Sequence, residues 1–226
     1  MTRLADLTTT PVRDGATVML VRDGQGIDAK DVDRPLEVLM LRRHPSTAFG
    51  AIWAFPGGVV DPSDELRPDR GSAHDDASAS ERIGLPEGGG AFWAAALRET
   101  EEETGLRLQA GDLHYFSHWV TPVGAPKRYD TRFFVALAPD GQHAHDEREH
   151  TDSTWIRPAD ALARHRAGRF EMILPTIRNL EAIDRFATAA ALLAAAEATP
   201  DPRAVDDGGG WRILLPGDPG HEQAPA

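Results

Sequence analysis

"AFWAAALRETEEETG", residues 91–105, decides how this chain is read. Alanine, leucine, arginine and glutamate are strong helix formers. Trp93, Ala96, Leu97 and Thr100 recur at three- and four-residue spacing, which puts them on one face. Gly105 suits the residue that closes a helix in left-handed backbone. The spacing predicts a helix over 91–104, with Glu99, Glu102 and Glu103 together on the opposite face. Like charges at three- and four-residue spacing repel by a few tenths of a kcal/mol per pair. Carboxylates near a helix C-terminus also oppose its dipole. A helix built only for packing gains by placing Lys or Arg there. A hard divalent cation offsets both penalties, because Mg²⁺ binds carboxylate oxygens together with substrate phosphates.

The chain has 226 residues, 41% hydrophobic and 27% charged, enough for one sizeable core with additions. Its net charge of −12 argues against a general nucleic-acid binder. A small anionic substrate stays open, since a bound divalent metal reverses the local sign. The absence of cysteine excludes disulfides, zinc thiolates and thiol nucleophiles. No apolar run approaches the roughly 20 residues that span a bilayer, and the N-terminus has no apolar core of the signal-peptide type. These features lead to the expectation of a cytoplasmic protein without membrane partners.

"GATVMLVRDG" (15–24) and "LEVLMLRR" (36–43) read as two strands joined as a hairpin through a polar loop. "AIWAFPGGVVDPSD" (51–64) reads as a short strand entering a Pro-Gly-Gly turn. Residues 65–90, rich in Gly, Ser, Pro and Asp, read as an inserted surface loop with one helical turn near "DDASASERI". This insertion is expected to project from the domain, with its "GGG" (88–90) as a sharp turn. Strands are expected over 113–121, 128–138 and 152–158 and a helix over 158–168. Residues 174–200 read as one long helix or two in succession. The expected organisation is a single domain over 12–200 of mixed α/β (α+β) class, then a C-terminal strand and tail over 201–226.

"FPGG" (55–58) and "RETEEETGL" (98–106) together resemble the Nudix hydrolase box, G-x5-E-x7-R-E-U-x-E-E-x-G-U, where U is bulky and apolar. Arg98, Glu99, Glu102, Glu103 and Gly105 align residue by residue, with Thr100 at the first apolar position. Gly58 opens the box and Asp64, one methylene shorter than glutamate, takes the place of the first acid. The family has seven residues before the arginine, whereas this chain has 33, positions 65 to 97. The intact helix favours an insertion looped out while the ends stay in register. "LMLRRHP", "WAFPGG", "HWVTPVGAPKRYDTRFFVA", "EMILPTIRNLEAI" and "LLPGDPG" resemble the branch that includes the peroxisomal coenzyme A diphosphatase.

The resemblance implies a mixed sheet sandwiched between helices, with a C-terminal helical extension. It implies metal-dependent hydrolysis of a phosphoanhydride bond in a small nucleoside diphosphate derivative, with Mg²⁺ or Mn²⁺ as cofactor. Glu102 and Glu103 would be the principal ligands, and Glu99 a further ligand or the base. The Gly57 carbonyl would complete the metal shell, and Arg98 would orient a carboxylate by a bidentate pair. Glu147 and Glu149 are candidate assisting acids, with Glu149, six residues before Trp155, favoured. Arg42, Arg43, Lys127 and Arg128 are candidate phosphate contacts. His143, His145 and His150 lack helical ligand spacing and are read as having no metal role.

Coenzyme A or an acyl-CoA leads the substrate expectation. The Arg and Gly of the coenzyme A signature in some relatives are replaced here by Thr47 and Ala51. The alternatives are a nucleotide sugar, ADP-ribose, a dinucleoside polyphosphate, an oxidised nucleotide, or a module that senses a nucleotide without cleaving it. A homodimer is the assembly considered beside the monomer.

Overall fold

The computed structural model describes residues 10–24, 35–46, 50–64, 75–141, 143–144 and 148–198, with the backbone of 203–206 and 211–214. Strand β1 (Val12–Asp23) runs through its centre. Its even positions Ala16, Val18 and Leu20 pack into one apolar cluster, and Met19 and Val21 into another on the opposite side. A strand buried on both faces reads as a nearly continuous apolar run, as "ATVMLV" does.

Strands β2 (Leu36–Arg43), β3 (Trp53–Ala54) and β4 (Gly57–Val59) follow. β1 and β2 pair antiparallel, as the hairpin reading requires. The expected short strand before the Pro-Gly-Gly turn is β3, paired with β2, and the chain leaving the turn adds β4, paired with β1. Strands β5 (His114–Val120), β6 (Arg128–Leu137) and β7 (His150–Ile156) complete a seven-stranded mixed sheet. β6 lies parallel to β1, from Val12 beside Arg128 to Val21 beside Leu137. β7 starts two residues earlier than expected and pairs with β2, its register shifting beside Arg42 and Arg43.

Helices cover both faces. On one side lie α1 (Asp76–Arg82) and α2 (Gly89–Thr104). Trp93, Ala96, Leu97 and Thr100 are buried there, as the helical spacing predicts. On the other side α3 (Pro158–Arg166), α4 (Leu174–Ile183) and α5 (Ala189–Ala198) supply Leu162, Leu180, Ile183 and Leu192 to the second cluster. The stretch from 174 is thus two helices. The C-terminus forms an antiparallel hairpin, Arg203–Asp206 with Trp211–Leu214, where one strand was expected. No helix among the described residues is long and apolar enough to cross a membrane.

The described part of the insertion, 75–90, does not project. Ala79, Ser80 and Ile83 are buried, so α1 packs into the core. Its polar side chains also satisfy the open N–H groups at the start of α2. Asp76 accepts from Gly88 N (3.0 Å) and Gly90 N (2.8 Å), and Ser80 Oγ from Gly89 N (2.8 Å). A Cβ on Gly89 would collide with the backbone of Ser80. Gly88, in left-handed backbone at φ +77°, makes the expected turn, and Gly89 and Gly90 are already the first residues of α2, which begins two residues before the expected start. Residues 65–74 lie outside the described part.

Candidate active site

Gly57 is held at φ +151°, and a Cβ there would lie 2.6 Å from the Thr17 Cα. A Cβ on Gly58 would run into the Glu99 carboxylate. The two glycines let strand β4 lie directly on the glutamate side of α2. Gly57 N donates to Glu103 Oε2 at 2.8 Å. Despite the insertion, the turn and the helix thus meet.

This contact changes the expected face. Glu103 is 4% exposed, its position three residues after Thr100 extending the buried stripe under β4. The side chain of Glu99 is 15% exposed and that of Glu102 is 59% exposed. The three acids therefore run from core to solvent, rather than forming one solvated face.

Arg98 ties the box together. Its Nε and Nη2 donate to the two oxygens of Asp64, both at 2.8 Å. Nη1 donates to Glu99 (2.8 Å) and Glu102 (3.2 Å), and Nη2 also reaches the Val59 carbonyl (3.1 Å). Asp64 is set by its own turn: its carboxylate accepts from Asp61 N at 2.7 Å, and its N–H donates to Asp61 O at 2.8 Å. The bidentate partner of Arg98 is thus the acid before the insertion.

Burial pushes the Glu103 carboxyl up to about 8, with Glu99 and Glu149 adding to the rise. The Gly57 N–H and Arg43 act in the opposite direction. Glu99 is also raised, chiefly by burial, against the hydrogen bond from Arg98. Arg98 is held more firmly protonated, first by its bonds to Asp64.

The other expected residues divide. Arg43 and Glu149 lie close enough to influence Glu103. Glu149 is exposed, and its carbonyl accepts from His44 N at 2.7 Å. Arg42 has the strand parity of Val38 and Met40, which pack in the cluster on the far side of the sheet. Arg128 donates to the Thr121 carbonyl (3.2 Å) and ties the β5–β6 connection, and Lys127 is exposed in that turn. Glu147, Thr47 and His145 fall outside the described residues. His143 accepts from Trp155 Nε1 (3.1 Å) and pairs with Ser153 Oγ (3.0 Å), a packing role.

His150, which the sequence gives no role for lack of helical ligand spacing, lies on strand β7 beside the glutamates. It is 2% exposed, and its Nε2 stands 3.5 Å from Glu103 Oε1. The available signal was the alternation of β7, which puts His150 beside Arg43 once the strand starts there.

The donor set suits a hard divalent ion: oxygen ligands, with Glu103 buried and Glu99 half-buried, both raised chiefly by burial and Glu103 further by Glu99. Among the described residues, no three such side chains gather around one point. Glu102 is turned outward onto Arg98 and would swing inward to join the other two.

Comparison with known proteins places this arrangement. The NUDIX domain model matches residues 79–174, starting within the insertion and therefore after the glycine turn. A NUDIX hydrolase from Alicyclobacillus acidocaldarius is 26% identical, with a TM-score of 0.65 over 82% of this chain and 97% of its own. The MutT protein from Methanosarcina mazei Go1, 18% identical with a TM-score of 0.51 over 78% of this chain and 96% of its own, shares the fold. No curated protein matches the chain in sequence. The glutamate helix, the glycine strand pressed on it and the mixed sheet match the fold of Nudix hydrolases, and the part of the chain from within the insertion onward matches the NUDIX domain itself.

Proposed function

We propose that the protein hydrolyses a phosphoanhydride bond in a nucleoside diphosphate derivative, with coenzyme A or an acyl-CoA as the leading substrate class. The observation that carries this reading is the seating of Gly57 and Gly58 on Glu103 and Glu99, because it assembles both halves of the box across the insertion. The family generally works with Mg²⁺ or Mn²⁺, and here Glu103, Glu102, Glu99 and the Gly57 carbonyl would hold the ion. When bound, such an ion neutralises phosphate charge and lowers the pKa of water.

The chain's own residues supply the rest. Arg98 fixes Glu99 while anchored on Asp64, and its hydrogen bond to the exposed Glu102 is the one that gives way when that acid turns toward the ion. Glu99 serves as a further ligand or as the base that takes the water's proton. Arg43 adds positive charge for an incoming phosphate beside Glu103. Glu149, at the exposed rim, is the acid that would assist from outside the box.

The test is hydrolysis of a panel of coenzyme A, acyl-CoA, ADP-ribose, a nucleotide sugar and a dinucleoside polyphosphate, with either metal and with product masses. The reading expects metal-dependent cleavage at a diphosphate, and cleavage of none of the panel would overturn it.

A further inference from the structure

A cavity of about 420 Å³ opens on the face of the sheet away from α2. That volume lies within the range of small-molecule sites. Its floor is Trp53 of β3, stacked on Phe170 with ring centroids 4.2 Å apart and planes 9° apart. The stack is fixed by the backbone, since Trp53 N donates to the Glu171 carbonyl at 2.8 Å. One wall is the start of β7, at Asp152; the other carries Arg164 and Arg169.

Neither arginine forms an ion pair among the described residues, on a chain whose net charge is −12. The helix dipole accounts for a cation in the last turn of α3, as Arg164 is. Arg169 lies just beyond the helix end, where its N–H donates to the Arg164 carbonyl at 3.0 Å, and this closing turn brings both arginines to one cavity. Arg42 adds a third cation nearby. It is exposed and stands between Trp53 and Asp152 in the cross-strand row of β3, β2 and β7.

The cavity is tied to the glutamates through two short stretches of chain. Trp53 and Gly57 are four residues apart, so their Cα atoms are separated by about 14 Å at most. Asp152 is two residues from His150, about 7 Å at most, and His150 is 3.5 Å from Glu103. These spans set an upper limit on the distance that a substrate cleaved at the glutamates would bridge around the strand ends to enter the cavity.

We propose that this cavity receives a phosphate monoester carried on the nucleoside of the substrate, with Arg164 and Arg169 as the residues that select it. The word substrate rests on the phosphoanhydride reading above. Planar guanidinium groups match phosphate oxygens in paired hydrogen bonds. Asp152 disfavours a bare anion and accepts from a hydroxyl or amino group, so the cavity suits a phosphorylated sugar better than inorganic phosphate.

Equilibrium binding separates this from the cleavage reaction. Adenosine 3′,5′-bisphosphate, adenosine 2′,5′-bisphosphate, adenosine 5′-monophosphate and inorganic phosphate are titrated into the full chain by calorimetry. At least one bisphosphate should bind tenfold or more tightly than the monophosphate, and inorganic phosphate should bind most weakly. The double variant Arg164→Ala/Arg169→Ala should lose that preference, and Arg166→Ala, an exposed arginine on the same helix, should keep it. Thermal unfolding confirms that each variant is folded. Equal binding of bisphosphates and monophosphate by the wild type, or a preference undiminished in the double variant, would overturn the proposal. In turnover, the double variant should raise KM for coenzyme A tenfold or more and leave KM for its 3′-dephospho form within twofold, with kcat kept. A chain that cleaves no diphosphate sinks the phosphoanhydride reading, while the binding comparison still decides the cavity.

Discussion

Arg98 holds Asp64 through two parallel hydrogen bonds of 2.8 Å across 34 positions of sequence. The side chain of Asp64 is only 5% exposed, so its half of this pair, which joins the two sides of the insertion, is shielded from water. Asp64→Asn removes the charge and one acceptor while keeping the shape. Hydrogen bonds to charged groups contribute about 1.5–3 kcal/mol, and a loss of that size is expected in denaturant unfolding. Turnover should fall as well, because Arg98 also orients Glu99. Unchanged unfolding in Asp64→Asn would show that the insertion ends are held by other contacts.

Gly57 and Gly58 should fail in different ways. A side chain on Gly57 meets the backbone of β1 and sits at positive φ, so Gly57→Ala should cost several kcal/mol of stability. A side chain on Gly58 meets only the movable end of Glu99, so Gly58→Ala should stay folded and lose turnover. Thermal melts and initial rates on both variants check this. Equal destabilisation would mean that β4 is less closely seated than described.

The buried Glu103 makes stability depend on pH. Its carboxyl is raised from an ordinary 4.5 to about 8, so between those values the folded state keeps a proton that the unfolded chain has released. Stability therefore falls as pH rises through that window. In chelator, the midpoint of denaturant unfolding should drop between pH 6 and pH 9, and Glu103→Gln should flatten the drop. Mg²⁺ binds the deprotonated carboxylate, so it should stabilise most at the alkaline end. A slope identical in wild type and Glu103→Gln would assign the effect to other groups.

Removing charge from the helix should separate the site from the surface. Glu102→Gln and Glu103→Gln are each expected to lower kcat by about 10²–10³, the usual cost of losing one transition-state charge interaction. Glu101 pairs with Arg107 at 2.9 Å instead, and Glu101→Gln should keep near wild-type rates. Rates on one cleaved diphosphate, at saturating metal, decide between these outcomes.

Asp76 offers a test of the insertion itself. It accepts from two N–H groups in the first turn of α2, and loss of such a cap costs about 1 kcal/mol. Asp76→Ala should lower the melting temperature and leave the glutamate geometry, hence kcat, unchanged.

Much of the fold was legible because its signals are local. "ATVMLV" and "LEVLMLRR" carry their burial in their composition, and the α2 stripe from Trp93 to Thr100 is read directly from helical spacing. The core role of α1 was not, since "DASASER" has small and polar residues whose burial depends on the close approach of Gly89. The same holds for Glu103. Its spacing places it with Glu99 and Glu102, but only contact with Gly57, 46 positions away, decides which carboxylate lies inside. His150 meets Glu103, and Trp53, Arg164 and Arg169 meet at the cavity, through strand register and tertiary packing, which a single sequence expresses weakly.

The parallel pairing of β1 with β6 also constrains how the chain is made. Val12 waits for Arg128 and Val21 for Leu137, so the central strand leaves the ribosome long before its neighbour exists. Until then its apolar run lacks one side of its ladder, a state open to association with other chains. Long-range parallel pairing also folds slowly, since the intervening loop must close first. A nascent chain stalled before β6 should be protease-sensitive throughout, and protection should arise in one step once that strand has cleared the exit tunnel.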